Sequence, residues 1–460
     1  MMRNLKVIQR ISSLNKSEKG LIQLSNKKNN YISKNKIRLI TISSISKFKK
    51  GLIHCRCEYV DDNNIYISDF TGIIKIVYEK KNQIISGDFL IIDFFYSKKI
   101  LIAKSIIISN RTMLTQSGFN KTFINKFLKN DTKLIDILKN RTSFYSGIHD
   151  FFNNDSFIEI NTPTLVESPG IEKYLEVFST NYYDINGNEK NFFMPTSPEF
   201  SLKEALMYGL KDIYELAKCF RNAGEYSNTH RPEFIMLEWY RAFADYHVII
   251  EDCSRLFLFL LQLIKNTHLC QYKHFLINFK KYEIFTVKEL FERDSIDLDN
   301  YSTNPDIFIN EINRVLNCDI SNVTKEDLFF KYMLDKIEPT LGFSCPVFIV
   351  DYPYEMTPLS EQCEHNPLYG KRFEVYIAGI EIGNGYGELI DPTIQENRFH
   401  EVIKEREIIG GSNLPYPERF INAMKQGIPP CSGVAVGTER LFMIIMGLDD
   451  IGDTKLIDIV

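Results

Sequence analysis

The sequence predicts an α+β fold in which a small OB-like β-barrel precedes a larger domain of mixed strands and helices. Between residues 37 and 110, five or six short runs rich in Ile, Val and Tyr are separated by turn-forming clusters. Beyond residue 141, strand-like and helix-like segments alternate to the end of the chain. With 460 residues, 44% hydrophobic and 25% charged, the chain is long enough for two or three domains with sizeable cores.

Residues 1–36 are polar and without sustained periodicity, and read as an arm. The first fifty residues hold thirteen Lys or Arg against the single acid Glu18, although the whole chain carries a net charge of −4. Such a basic end suits nucleic acid, and a Lys- and Asn-rich bias throughout the chain explains it equally. Strands are predicted over 38–46, 52–60, 65–69, 73–78, 88–96 and 100–108, broken by Asp61-Asp62-Asn63-Asn64, Thr71-Gly72, Ser86-Gly87 and Lys98-Lys99. An OB-fold over 37–110 is the best match, with an SH3-like barrel as the alternative.

A polar linker is expected over 111–140, and the second domain over 141–460. Phe144, Ile148, Phe151 and Phe152 mark one face of a helix from Arg141 to Phe152. Phe157 to Ile160 reads as a strand, which Pro163 ends. The apolar stretch from Leu256 to Ile264 is about half the ~20 residues needed to span a bilayer, so it reads as a buried helix and no membrane association is expected. Residues 270–344 carry no chemical motif and read as an insertion. Nine scattered cysteines lack the paired spacing of zinc or disulfide frameworks, and no apolar leader opens the sequence; both point to a reducing cytoplasm. Cys55-x-Cys57 reads as two small apolar residues.

Three blocks carry candidate chemistry. In the first, from Phe220 to Tyr240, two strand-like runs enclose a polar loop bearing Arg221, His230 and Arg231 beside Phe234. Guanidinium forks over an aromatic face suit a nucleotide triphosphate. In the second, Arg372 to Leu389, a two-residue turn at Ala378-Gly379 would set Tyr376 opposite Glu381 and make Glu374 its diagonal neighbour. Two carboxylates roughly 7 Å apart can share Mg2+. In the third, Gly427 to Met446, a strand of small residues runs into an apolar helix with Arg440 at its start, where it could hold phosphate or stack on a base. Alone, each block also reads as an ordinary solvated hairpin or strand-to-helix turn.

Together, in order and spacing, the blocks resemble motifs 1, 2 and 3 of the class II aminoacyl-tRNA synthetases, in the aspartate, asparagine and lysine subgroup. Motif 1 corresponds to the helix, strand and Pro163, motif 2 to Phe220–Tyr240 and motif 3 to Gly427–Met446. The resemblance implies a catalytic domain built on an antiparallel sheet flanked by helices, a homodimer formed through motif 1, and use of ATP and Mg2+. It further implies that Arg221 holds the α-phosphate and the amino-acid carboxylate, that Phe234 stacks on adenine with His230 and Arg231 nearby, and that Arg440 covers the other face and the γ-phosphate. Glu374 and Glu381 would hold Mg2+. Tyr240 and Glu388 stand where lysine enzymes receive the side-chain ammonium, with Glu199, Glu238 and Asn384 completing the amino-acid pocket.

Two features depart from the lysine tRNA enzymes. His230-Arg231-Pro232-Glu233-Phe234 stands where they read His-Asn-Pro-Glu-Phe, and Ala435 replaces a glycine. Cys431-Ser-Gly-Val-Ala435 and Leu237-Glu-Trp239 look more like the paralogous ligase that joins (R)-β-lysine to a lysine of elongation factor P. That reading is favoured from sequence, with a lysine–tRNA ligase acting on tRNA(Lys) as the alternative and an inactive RNA-binding or regulatory paralogue as the third.

Overall fold

The computed structural model describes residues 40, 42–48, 50–60, 64–69, 72–78, 84–97, 100–110, 131–224, 226–319 and 323–458. The expected arm and most of the expected linker lie outside these residues. Two compact units divide at Ile137/Leu138.

The first unit is a closed five-stranded barrel. Its strands are β1 (Lys50–Val60), β2 (Asn64–Asp69), β3 (Gly72–Val77), β4 (Phe89–Ser97) and β5 (Ile100–Asn110), in the order β1-β2-β3-β5-β4. All neighbours are antiparallel except β3 and β5. Ile53, Cys55, Cys57, Ile67, Ile76, Leu90, Ile92 and Phe94 fill its interior, so the Cys-x-Cys pair serves as apolar packing. One expected strand is corrected: residues 42–47 form a 3-10 helix, whose Ile42 N–H is capped by the Asp69 carboxylate at 2.8 Å. A side-chain acceptor at the end of β2 satisfies a backbone donor there, outside the ladder.

The helix α1 (Asp131–Asn154) starts ten residues before the expected Arg141 and carries the chain across the division into the second unit. Phe144, Ile148, Phe151 and Phe152 are all buried, and Phe152 stacks on Tyr214 with centroids 4.6 Å apart. There follow β6 (Ile158–Glu159), β7 (Ser179–Tyr183), β8 (Glu189–Phe193), α2 (Glu199–Leu206), β9 (Asp212–Phe220), β10 (Glu233–Ala242) and α3 (Tyr246–Lys265). Helix α3 contains the Leu256–Ile264 stretch and buries Ile249, Cys253, Leu256, Phe257, Leu260 and Leu261 along one face. Among the described residues, no helix is long and apolar enough to cross a membrane.

Residues 270–344, read as an insertion, contribute to the main framework. They form the hairpin β11 (Leu269–Tyr272) and β12 (Phe275–Asn278), then β13 (Glu283–Thr286), α4 (Val287–Glu292), α5 (Asn300–Thr303), α6 (Pro305–Leu316) and α7 (Lys325–Tyr332). β13 is an edge strand of the principal sheet. The remaining elements are β14 (Val347–Pro353), β15 (Tyr369–Ile377), β16 (Ile380–Gly387), α8 (Pro392–Ile409), α9 (Glu418–Gln426), β17 (Cys431–Gly437) and α10 (Thr438–Met446). The sheet runs β13-β14-β15-β16-β17-β10-β9-β6. It is antiparallel through its six central strands and parallel only at its two edges.

Register alternates side chains between the two faces. Tyr214, Trp239, Val434, Gly385 and Phe373 are successive cross-strand partners on the face that α1 and α3 cover. The neighbouring row, Glu215, Glu238, Ala435, Asn384 and Glu374, points to the other face.

Candidate active site

The β15–β16 hairpin turns at Ala378-Gly379, both with positive φ (53° and 74°), the conformation a two-residue turn of this hand requires. Tyr376 pairs with Glu381, as the spacing predicts. Ile382 is then an extra residue, a bulge that sets Glu374 opposite Asn384. Without it, Asn384 would face away from Glu381; with it, Glu374, Glu381, Asn384 and Tyr386 share one face.

Glu374 accepts from Arg372 and from the Tyr376 hydroxyl, each at 2.6 Å. Glu381 keeps 42% of its side chain open, yet protein crowds it closely, and this burial together with the Glu374 charge pushes its carboxyl up. A third acid, Glu338, lies in the 3-10 turn Glu338–Thr340 and is raised to about 7 by burial and by Glu374 and Glu381. Such mutual repulsion marks a place suited to a cation. Carboxylate oxygens of this kind suit Mg2+, an ion that keeps several waters and takes one or two carboxylates.

Two arginines stand near these acids. Arg221 follows β9, its guanidinium 5.3 Å from the Phe234 ring centroid, and its Nε is buried without a hydrogen-bond partner. Phe234 therefore has a cation over its ring. Arg440 donates to the Glu381 carbonyl at 2.8 Å and to the Thr229 carbonyl at 3.2 Å, and approaches His230 Nε2 at 2.6 Å. Because arginine only donates, Nε2 must accept, so His230 is neutral and its Nδ1–H donates to Ser227 Oγ at 2.9 Å. Arg231 is engaged elsewhere. It is buried and bonded to Asp450 and Asp458, both at 2.7 Å, and to the carbonyls of Ser227 and His230. Two of its hydrogen bonds fasten this loop to the C-terminal segment, and two hold the loop's own carbonyls.

A pocket of polar side chains forms around the carboxylate row. Glu238, only 1% exposed, accepts from Ser197 Oγ at 2.6 Å and from the Tyr240 hydroxyl at 3.4 Å, with no cation in contact. Burial, then the charges of Glu199 and Glu215, raise its carboxyl to about 8. Tyr240 lies across Gly433, where a Cβ would sit 2.4 Å from its ring; glycine is required for this approach. Asn384 donates to the Tyr386 hydroxyl at 2.9 Å, and its Oδ1 is buried without a partner. Ala435 stands between Glu238 and Asn384, so its methyl forms the floor of this row.

Three participants were not evident from sequence. Lys203, 1% exposed, stands 2.6 Å from Glu199 and 2.5 Å from Glu388 Oε2, the second contact being close but not aligned as a hydrogen bond. The two carboxylates keep it protonated despite burial. Its signal was the Glu199-x3-Lys203 spacing, one helical turn apart on α2. Glu172 is raised by burial and lies within the fields of Arg221 and Glu199. Glu338 was hidden in a stretch without motifs.

The sequence model of the family described as tRNA synthetases class II (D, K and N) matches residues 98–457. A lysine–tRNA ligase of Wigglesworthia glossinidia brevipalpis is 30% identical over 420 residues, covering 86% of this chain and 81% of that protein. An elongation factor P–(R)-beta-lysine ligase of Avibacterium paragallinarum is 31% identical over 326 residues, covering 70% of this chain and 95% of its own. The corresponding ligase of Buchnera aphidicola subsp. Acyrthosiphon pisum (strain APS) is 31% identical over 327 residues, with 70% and 94% covered. A match over 86% of the chain exceeds the unit 138–460 and runs into the barrel unit.

Proposed function

Because the chain belongs to the class II tRNA synthetases of the D, K and N group, we propose that it activates a lysine-type amino acid with ATP and passes it to tRNA. The observation that supports this most is the pocket itself: Glu199, Glu238 and Glu388 gathered beside a single internal ammonium, with Arg221 and Arg440 nearby. Buried carboxylates in that number call for a substrate bearing more than one positive charge.

In this reading the amino-acid carboxylate attacks the α-phosphorus of ATP, a P–O bond forms, and the bond to the departing pyrophosphate breaks. No protein base is needed, because the attacking carboxylate is already ionised. Arg221, whose Nε lacks a partner, neutralises charge growing at the α-phosphate, and Arg440 does so at the far phosphates, oriented by His230. Glu381, Glu374 and Glu338 fit Mg2+, which when bound shields the triphosphate. Arg231 has no part in binding here; it holds the loop that carries His230.

The acceptor is read from the barrel. A closed five-stranded barrel precedes the catalytic unit, and a relative whose match extends into the barrel unit is a lysine–tRNA ligase. Ala435 supports the second reading, modification of elongation factor P with β-lysine, because it adds a methyl to the floor of the pocket. The deciding experiment offers ATP, Mg2+ and either α-lysine or (R)-β-lysine with tRNA(Lys) or elongation factor P. Labelled α-lysine on tRNA supports the first reading, β-lysine on elongation factor P the second, and absence of pyrophosphate exchange with both amino acids rejects both. We also propose a homodimer through α1 and the strand leading to Pro163, a C2 arrangement being the commonest; a monomer in sedimentation at micromolar concentration would remove it.

A further inference from the structure

A second group of ligand-type side chains lies on the other side of the sheet. Asp351 occupies a bulge in β14 and accepts a hydrogen bond from Tyr246, the first residue of α3. Cys363 Sγ is 3.3 Å from Asp351 Oδ1, and His365 Nε2 is 3.5 Å from Oδ2. One ligand atom from each of the three lies within 4.8 Å of the others.

We propose that Asp351, Cys363 and His365 bind a divalent ion of the zinc class. Zinc bonds of about 2.3 Å to sulfur and about 2.0–2.2 Å to nitrogen or oxygen give a tetrahedron with edges of roughly 3.3 to 3.6 Å. The two separations, to Oδ1 for the sulfur and to Oδ2 for the imidazole, are of that size, and a turn of the Asp351 carboxylate with a swing of His365 brings one oxygen to both. The donor set, one sulfur, one imidazole and one carboxylate, selects zinc or cobalt over magnesium, which avoids thiolate. Entry requires loss of the Cys363 proton to solvent; a thiolate 3.3 Å from a buried carboxylate is then balanced by the metal. His365 is 67% exposed on its side chain, so it can swing onto the ion and leave the fourth position to water.

The site has a structural consequence. The segment between β14 and β15 pairs with the strand end that carries Glu388, through Glu361 N to Gly387 O at 2.8 Å and Leu389 N to Leu359 O at 2.9 Å. A metal joining Asp351 to Cys363 and His365 closes this segment into a loop and fastens it beneath Glu388. The neighbouring charges are mixed, with Lys371 paired to Glu361 and Glu364.

Cobalt(II) titration of the full chain in excess Mg2+ tests this. One equivalent is expected to give a sulfur-to-cobalt charge-transfer band and the intense visible bands of four-coordinate cobalt, both displaced by Zn2+. Cys363→Ser should abolish the charge-transfer band, and His365→Ala, at an exposed position that does not endanger folding, should weaken binding more than tenfold. Zinc should also raise the melting temperature of the parent protein and not that of Cys363→Ser. Absence of the band, or its survival in Cys363→Ser, would overturn the proposal. Neither reading of the acceptor is touched by that result.

Discussion

Lys203 neutralises Glu388 from inside the protein: the nitrogen lies 2.5 Å from the carboxylate, and each side chain is 2% exposed. Once the substrate's ammonium groups displace the proton that burial holds on Glu238, the three carboxylates Glu199, Glu238 and Glu388 face Lys203 with a net charge of −2, which matches the two ammonium groups of lysine or β-lysine. Lys203→Met keeps the volume and removes the charge. A further carboxyl, beyond Glu238, should then hold a proton that the substrate must displace. The Michaelis constant for lysine should depend on pH more steeply than in the parent, by up to about tenfold more per unit, falling as pH rises. Pyrophosphate exchange from pH 6 to 9 measures it, and a profile parallel to that of the parent enzyme would reduce Lys203 to packing.

Glu238 gives the parent enzyme its own pH signature. Its carboxyl is raised from 4.5 to about 8, chiefly by burial. The folded state therefore keeps a proton that the unfolded chain loses near pH 4.5. Stability falls as pH rises through the window from 4.5 to 8 and is level on either side. Glu238→Gln should accordingly stabilise the apo protein at pH 8 by a few kcal/mol and leave it unchanged near pH 4, as read by denaturant melts at both values. Equal effects at the two pH values would mean that Glu238 is ionised in the folded protein.

Arg221 and Arg231 are ten residues apart and separate chemistry from architecture. Arg221→Ala removes a donor with a free buried Nε and should slow exchange by about 100-fold or more. Arg231→Ala strips partners from Asp450 and Asp458 and should cost about 1–3 kcal/mol of stability. Its exchange rate, measured well below the melting temperature, should change far less than that of Arg221→Ala. The reverse ranking would return Arg231 to the nucleotide site.

The hairpin register around Ala378-Gly379 was legible because a two-residue turn fixes which residues oppose one another. The bulge at Ile382 was not, since nothing in the Ile-Glu-Ile-Gly run distinguishes an extra residue from a regular one. The helical face of Phe144, Ile148, Phe151 and Phe152 followed from periodicity alone. Lys203 and Glu338 were missed for a different reason. Each acts through a partner far away in sequence, Glu388 for the one and Glu374 for the other, and only the folded sheet brings these together. Asp351 and Cys363 show the same limit, because their twelve-residue separation matches no ligand spacing that a sequence reader would test. Arg231 shows the same limit from the other side: the sequence sets it in a polar loop suited to a nucleotide, whereas its carboxylate partners lie more than two hundred residues away.

Ala435 tests the choice between acceptors. It pairs with Glu238 on one side and Asn384 on the other, so its methyl projects between the acid and the amide that bound the pocket. An amino group on the α carbon and one on the β carbon would meet that methyl differently. Ala435→Gly opens the floor and should shift discrimination between α-lysine and β-lysine toward α-lysine by roughly 10- to 200-fold, the range for one methyl in a tight site. The ratio of kcat/KM for the two amino acids in pyrophosphate exchange reads this directly. If the parent enzyme already prefers α-lysine and the substitution leaves the ratio unchanged, the methyl does not select the substrate. The barrel would then be the better guide to the acceptor, and charging of tRNA should proceed with the parent enzyme and with Ala435→Gly alike.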